Sequence, residues 1–203
     1  MKALLIVDMQ NDFMPGGPLA VPHGDELVPI INTLIPKFPL VIATQDWHPA
    51  DHVSFVSNHP GKKVGDIIRV GEIDQILWPV HCVQNTHGAE LISSLDKTKF
   101  STFFYKGTDK NIDSYSAFFD NAHLKSTGLA NDLKRRGVDE IYIAGVATDY
   151  CVLYSAMDGI DLGFTVSVIA DGCRPINLKS QDEQEAFERM RAKGARIVIS
   201  SDL

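Results

Sequence analysis

The sequence predicts an α/β protein in which helices cover both faces of a mostly parallel sheet, giving three layers. Short apolar runs alternate along the chain with amphipathic segments, and this alternation is typical of parallel strands buried between helices. Each run is rich in β-branched or aromatic residues, which favour buried strands. The apolar runs are residues 3–8, 40–44, 102–105, 140–146, 164–170 and 196–200.

Helical spacing of apolar residues predicts the elements between these strands. The last predicted helix has a capping box in Ser180 and Glu183 and is followed by Gly194. Gly137 ends the third helix in the same way. The predicted helices are residues 25–38, 88–95, 126–136, 149–162 and 181–193.

The length and composition indicate one domain covering residues 1–203. The chain is 44% hydrophobic and 22% charged, which is ordinary for a globular protein with a well-buried core. No repeat or low-complexity linker divides it. The long polar stretch at 47–101 contains proline and glycine, and we interpret it as an active-site loop insertion rather than a second domain.

Charge, apolar runs and cysteine content indicate which partners and which cellular environment to expect. Acidic residues outnumber basic ones, 26 to 19, and the basic residues are scattered, which argues against nucleic acid or an anionic membrane as partner. The apolar run at 3–7 is short for a signal peptide, and no run approaches the ~20 residues of a membrane span. We therefore expect a cytoplasmic protein with a small-molecule substrate and three reduced cysteines. Homo-oligomerisation stays open.

Cys151 is the candidate nucleophile because it follows the fourth strand at the start of a helical pattern. Thr148 or Asp149 is placed to cap that helix. Unpaired amides and the positive end of a helix dipole lower a thiol pKa and offer donors to an oxyanion. An isolated free cysteine is more often a buried structural residue. The residues that accompany Cys151 decide between these interpretations.

Three other reactive side chains also stand at strand ends. Asp8 ends the first run, Asp46 follows the second and Lys106 follows the third. Taken singly, these could be a loop cap or a surface charge, but the carboxyl ends of parallel strands share one edge of the sheet. A thiol with an ordinary pKa of ~8.5 needs a base and a nearby cation at neutral pH. We predict that Asp8 supplies the base and Lys106 the cation.

A metal site is indicated by Asp46, His48 and His52, which have the pattern Asp-x-His-x3-His, with the distant His81 as a fourth ligand. One carboxylate and three imidazoles suit zinc or another first-row divalent ion. The alternative is a solvated polar loop. Four protein ligands would complete a tetrahedral site, so a catalytic ion would have to expand its coordination.

Five motifs in order along nearly the whole chain resemble those of the nicotinamidase branch of the isochorismatase-like cysteine hydrolases. This resemblance implies a six-stranded parallel sheet flanked by helices. It implies hydrolysis of nicotinamide, and of the related pyrazinamide, within NAD salvage, with one divalent ion that is zinc, or else iron or manganese. The motifs are VDMQNDF at 7–13, TQDWH at 44–48, WPVHC at 78–82, FYKG at 104–107 and GVATDYC at 145–151.

The resemblance also implies roles for individual residues. The backbone amides of Ala147 and Cys151 would form the oxyanion hole, and the peptide bond before Ala147 would be cis. Phe13 and Trp78 would contact the aromatic substrate, although aromatic residues are more often core. Tyr115 is a third candidate, in a segment whose length varies in the family.

Three alternative functions fit the sequence less well. Hydrolases of N-carbamoyl compounds share the Asp, Lys and Cys positions but generally lack the metal ligands. The isochorismatase branch lacks the cysteine nucleophile. A non-catalytic member of the fold would be expected to lose Cys151 or Lys106, and both are present. The full set of residues favours a metal-dependent cysteine amidohydrolase.

Overall fold

A single six-stranded sheet forms the centre of the protein. The computed structural model describes residues 1–203. Eight strands and four α-helices are present: β1 Lys2–Val7, α1 Leu27–Leu34, β2 Val41–Asp46, β3 Ile67–Val70, β4 Ile73–Ile76, β5 Phe100–Lys106, α2 Leu129–Arg135, β6 Glu140–Val146, α3 Leu153–Asp161, β7 Thr165–Arg174, α4 Asp182–Lys193 and β8 Arg196–Val198. The central sheet has the order β5-β2-β1-β6-β7-β8, and all its neighbouring strands run parallel. The predicted fold class is confirmed.

The core is divided between the two faces of this sheet. Successive side chains of a strand point to opposite faces, so Leu5 and Val7 of β1 join one apolar cluster while Leu4 and Ile6 join the other. The first cluster contains buried residues of α2, α3 and α4, and the second contains those of α1. Helices therefore cover both faces, as the alternating pattern predicted. None of the helices has the length and apolar character that crossing a membrane requires.

The helix predicted at 88–95 does not form. One 3₁₀ turn spans His87–Ala89, Leu91 then forms an antiparallel bridge to Gln10, and another turn follows at 93–94. The Ile92 amide donates to the Met9 carbonyl at 2.9 Å. The apolar residues in this segment are buried by pairing with the chain beyond β1, a contact that helical spacing does not reveal.

Two predicted helix caps are also wrong. The capping box of Ser180 and Glu183 does not form at α4: the Glu183 amide donates to Asn177 Oδ1 at 3.0 Å, and Asp182 accepts a hydrogen bond from the Lys179 amide at 2.8 Å. The helix after β6 begins as a π-helical turn over Thr148–Val152, and neither predicted residue caps it. The Asp149 carboxylate accepts hydrogen bonds from the amides of Ile176 at 3.0 Å and Asn177 at 2.7 Å. It thereby joins the turn that carries Cys151 to the segment after β7.

The polar insertion at 47–101 contains an element that the sequence analysis missed. β3 and β4 pair as an antiparallel hairpin, with Val70 opposite Ile73 across a two-residue turn. The sequence signal for this hairpin is the glycine in the two-residue turn of IIRV-GE-IDQI, and Gly71 there has a φ of +58°. The hairpin leads directly to Trp78 and therefore contributes to the walls of the site.

Gly145 of β6 makes a close approach that excludes any side chain. Its φ is +125°, and a Cβ there would lie 2.1 Å from the Val7 carbonyl oxygen. We expect Gly145→Ala to lower the free energy of unfolding by about 3 kcal/mol, from steric displacement together with backbone strain. Urea unfolding measures this difference.

Gly163 provides the matched control. Its φ is +90°, but a Cβ there would meet nothing within 4 Å. Gly163→Ala should therefore cost only the strain of the left-handed conformation, about 1 kcal/mol. Equal losses from the two substitutions would show that the close approach at Gly145 has no energetic consequence.

Candidate active site and metal centre

The sheet order places the four predicted strand-end residues side by side. β5, β2, β1 and β6 are consecutive in the sheet, so their carboxyl ends share one edge. Asp8 follows β1, Asp46 and Lys106 are the last residues of β2 and β5, and Cys151 lies in the turn after β6. All four side chains are buried.

The Lys106 ammonium lies at the centre of this group. It donates hydrogen bonds to Asp46 Oδ1, to the Ser114 carbonyl at 3.1 Å and to Cys151 Sγ at 3.2 Å. Its Nζ is also 2.8 Å from Asp8 Oδ2. The three ammonium hydrogens are taken by the first three acceptors. Asp8 Oδ2 therefore forms an ion pair with the Lys106 ammonium but accepts no hydrogen bond.

The protonation states suit Asp8 to act as a base. Burial raises the pKa of Asp8 to about 6, against the opposing effect of the Lys106 ammonium. Asp8 Oδ1 accepts a hydrogen bond from the Thr44 hydroxyl at 2.7 Å, which orients the carboxyl group. Burial lowers the pKa of Lys106, but Asp46 and Asp8 raise it by a larger amount. The net pKa is therefore well above its ordinary value, and the group stays charged.

The pKa of the Cys151 thiol differs from the sequence-based expectation. Burial raises the pKa of Cys151 well above its ordinary value, although Lys106 acts in the opposite direction. The predicted lowering of the pKa by a helix terminus is outweighed, chiefly because burial disfavours the thiolate and secondarily because Asp8 and Asp46 lie nearby. The free thiol is protonated at neutral pH, so attack on a substrate needs a base at hand.

Three of the four predicted metal ligands come together. Asp46, His48 and His81 have ligand atoms within 4.8 Å of one another. Asp46 Oδ2 is 3.6 Å from His48 Nε2 and 3.8 Å from His81 Nε2. His48 Nδ1 lies 2.9 Å from the Gly107 carbonyl, and His81 Nδ1 lies 2.8 Å from the Pro79 carbonyl. Because a carbonyl only accepts hydrogen bonds, each Nδ1 carries the hydrogen. Both Nε2 lone pairs therefore face Asp46, as a metal ion requires.

The charges in this cluster also fit a divalent ion. Burial raises the pKa of Asp46, but Lys106 and His48 lower it more, so the net pKa is below its ordinary value. Burial lowers the pKa of His81 to about 4, and its imidazole is neutral at pH 7. Burial lowers the pKa of His48, but Asp46 raises it by more, so the net pKa is above its ordinary value.

His52 is placed differently from the other predicted ligands. Its Nδ1 lies 2.8 Å from Ser54 Oγ and its Nε2 lies 3.3 Å from the Ile112 carbonyl. It falls into a second group with His48 and Asp113. The structure does not bring His52 into the group of Asp46 and His81. An ion held only by Asp46, His48 and His81 would keep coordination positions open for other molecules.

A small cavity of about 20 Å³ lies beside Cys151. The three predicted aromatic residues, Phe13, Trp78 and Tyr115, all line it. The Trp78 indole donates a hydrogen bond to Tyr115 Oη at 3.2 Å, so these two rings are held together. Ala147 lines the cavity as well, and the Val146–Ala147 peptide bond is cis, as the resemblance implied.

Sequence analysis missed four residues that line the same cavity. Tyr150 directly precedes Cys151, and Asp113 belongs to the same segment as Tyr115, so their positions in the motifs were the available signal. Ile176 follows β7, a strand end that was not considered, and Leu19 comes from the loop after β1. The complete lining is Phe13, Leu19, Asp46, Trp78, His81, Asp113, Tyr115, Ala147, Tyr150, Cys151 and Ile176.

A buried thiol, carboxylate and ammonium lie beside three side chains that could bind a metal ion, and together these groups are typical of a cysteine hydrolase site. The chain belongs to the isochorismatase family, since the Isochorismatase domain matches residues 2–202. Among its relatives, the nicotinamidase of Escherichia coli K12 is 44% identical over 99% of this chain and 96% of the relative.

Solved structures agree with this assignment. A nicotinamidase/pyrazinamidase of Acinetobacter baumanii superposes with a TM-score of 0.97 at 43% identity, over 99% of this chain and 97% of that one. The pyrazinamidase of Pyrococcus horikoshii, solved in complex with zinc, superposes with a TM-score of 0.80 at 40% identity, over 98% of both chains. The predicted membership of the isochorismatase-like hydrolases is confirmed.

The placement of the imidazoles predicts which histidine holds the ion. We expect His81→Ala to raise the zinc dissociation constant more than about 100-fold, because even an outer-shell partner contributes about 10- to 100-fold. His52→Ala should raise it far less. Competition with a chromogenic chelator measures both constants, and equal increases would show that His52 also binds the ion.

Proposed function

We propose that the protein hydrolyses nicotinamide to nicotinate and ammonia, with pyrazinamide as a related substrate, in NAD salvage. One observation carries this proposal: Cys151, Asp8 and Lys106 meet beneath an aromatic-lined cavity whose wall also carries Asp46 and His81. The cavity suits a flat aromatic amide, with the reactive thiol at one side. The nicotinamidases among the relatives support the choice of substrate.

The proton path follows from the hydrogen-bonding geometry. Asp8 Oδ2 accepts the thiol proton as Cys151 Sγ attacks the carboxamide carbon, because that oxygen accepts no other hydrogen bond. The Lys106 ammonium stabilises the negative charge on either partner, being 3.2 Å from Sγ and 2.8 Å from Oδ2. Asp8 then returns the proton to the leaving nitrogen, which departs as ammonia. The thioester is cleaved by water, with Asp8 again as the base.

The remaining roles belong to the cavity wall. We assign the developing oxyanion to the backbone amides of Ala147 and Cys151, in the turn after β6. The rings of Phe13, Trp78 and Tyr115 hold the substrate ring between them. Asp46, His48 and His81 hold the divalent ion, with zinc as first choice and iron or manganese as alternatives. When bound, that ion supplies a Lewis acid at the wall of the cavity.

Ammonia release from nicotinamide by the purified, zinc-loaded protein tests the proposed function. We expect turnover by the wild-type protein and its loss in Cys151→Ala, since without the thiol no thioester forms. Cys173→Ala is the matched control: this cysteine is also buried, in the same apolar cluster as Cys151, but it does not line the cavity, and its loss should leave most of the activity. Substantial hydrolysis by Cys151→Ala would remove the covalent mechanism.

The base role of Asp8 predicts a pH dependence. The ionised carboxylate is the active form, and burial raises the pKa of Asp8 to about 6. We therefore expect kcat/KM for nicotinamide to be constant well above pH 6 and to fall about tenfold per unit below it, as Asp8 becomes protonated. Zinc content is measured at each pH, so that metal loss is separated from titration. A flat profile between pH 5 and 7 with zinc retained would exclude Asp8 as the base.

A further inference from the structure

We propose that Asp12 is a positioning residue for the metal ligands His48 and His81, acting through the backbone of Cys82. This inference rests on the metal site of the proposed function. Asp12 belongs to none of the groups of side chains that could share an ion. Its effect on the site must therefore pass through the segment that it contacts.

The first contact is a hydrogen bond between Asp12 and the residue that follows a ligand. Asp12 Oδ2 accepts the Cys82 amide N–H at 2.6 Å, a short bond to a charged acceptor. Cys82 has a φ of +46°, a conformation that non-glycine residues seldom adopt. The carboxylate therefore supports a backbone turn directly after His81.

Cys82 also contacts the second metal ligand, His48, through its carbonyl group. The Cys82 carbonyl accepts the His48 amide N–H at 3.0 Å, and the His48 carbonyl accepts the Gln84 amide N–H at 2.8 Å. The segments carrying His48 and His81 are thus paired at the turn that Asp12 supports. A shift of this turn would move the His81 Nε2 relative to the His48 Nε2, and the two atoms could no longer face Asp46 together.

Gly88 restricts the Asp12 carboxylate from the other side. A Cβ on Gly88 would lie 2.2 Å from each Asp12 carboxylate oxygen, so the carboxylate packs directly against the glycine backbone. Any side chain at this position would have to displace the carboxylate from the Cys82 amide. Gly88 is therefore a second position from which the same contact can be disturbed, without touching a metal ligand.

The test measures zinc affinity of the full-length protein by chelator competition, separately from catalysis. Asp12→Ala should raise the zinc dissociation constant about 10- to 100-fold, as losses of outer-shell partners do. Asp12→Asn keeps an oxygen acceptor for the Cys82 amide and should cause a clearly smaller increase. Gly88→Ala should raise the constant in the wild-type background and change it little in the Asp12→Ala background, because the carboxylate it displaces is already absent.

Three results would overturn the proposal. Asp12→Ala could lower the Tm of the metal-free protein while leaving the zinc constant unchanged, which would show a purely structural role. The effects of Asp12→Ala and Gly88→Ala could be additive, which would show that they act by separate routes. A wild-type protein that binds no zinc would overturn the metal site along with this inference. Ammonia release from nicotinamide is scored independently, so failure of the proposed activity is recognised separately.

Discussion

The buried Lys106 ammonium is the interaction on which the rest of the site depends. Burying a charge is costly unless it is paired and hydrogen-bonded, and here the ammonium is flanked by the carboxylates of Asp8 and Asp46. Asp8 belongs to the proton path, while Asp46 also faces the two imidazoles. One lysine therefore connects the nucleophile with the metal cluster, and a change in the charge of any member alters the pKa values of the others.

The parallel sheet makes this arrangement possible because it brings one reactive group from each of four strands to one edge. The side chain of Gln10 then holds two of these strand ends together. Its Nε2 donates to the Asp46 carbonyl at 2.7 Å and its Oε1 accepts the Asp46 amide N–H at 2.8 Å. This pairing continues the backbone ladder beyond β1 and β2. It places the Asp46 carboxylate between the ammonium and the imidazoles, a role that the motif alone did not indicate.

The secondary-structure and helix-cap predictions that failed share one physical cause. Residues 88–95 have helical spacing, yet they form no helix because the chain after β1 pairs with them at Leu91. Asp149 follows the rule for a helix cap, yet its carboxylate accepts hydrogen bonds from Ile176 and Asn177. In each case a contact between distant segments outweighs a local preference, which is worth only about 1 kcal/mol.

The sequence by itself determined the alternation of strands and helices and the chemistry at each strand end, because apolar periodicity and residue type are local properties. It also determined the family, since the motifs occur in order along almost the whole chain. Only the tertiary structure decided that His81 rather than His52 faces Asp46, and that Asp113 and Ile176 join the cavity. The direction of an imidazole lone pair depends on which carbonyl holds the other nitrogen, and that carbonyl belongs to the folded chain.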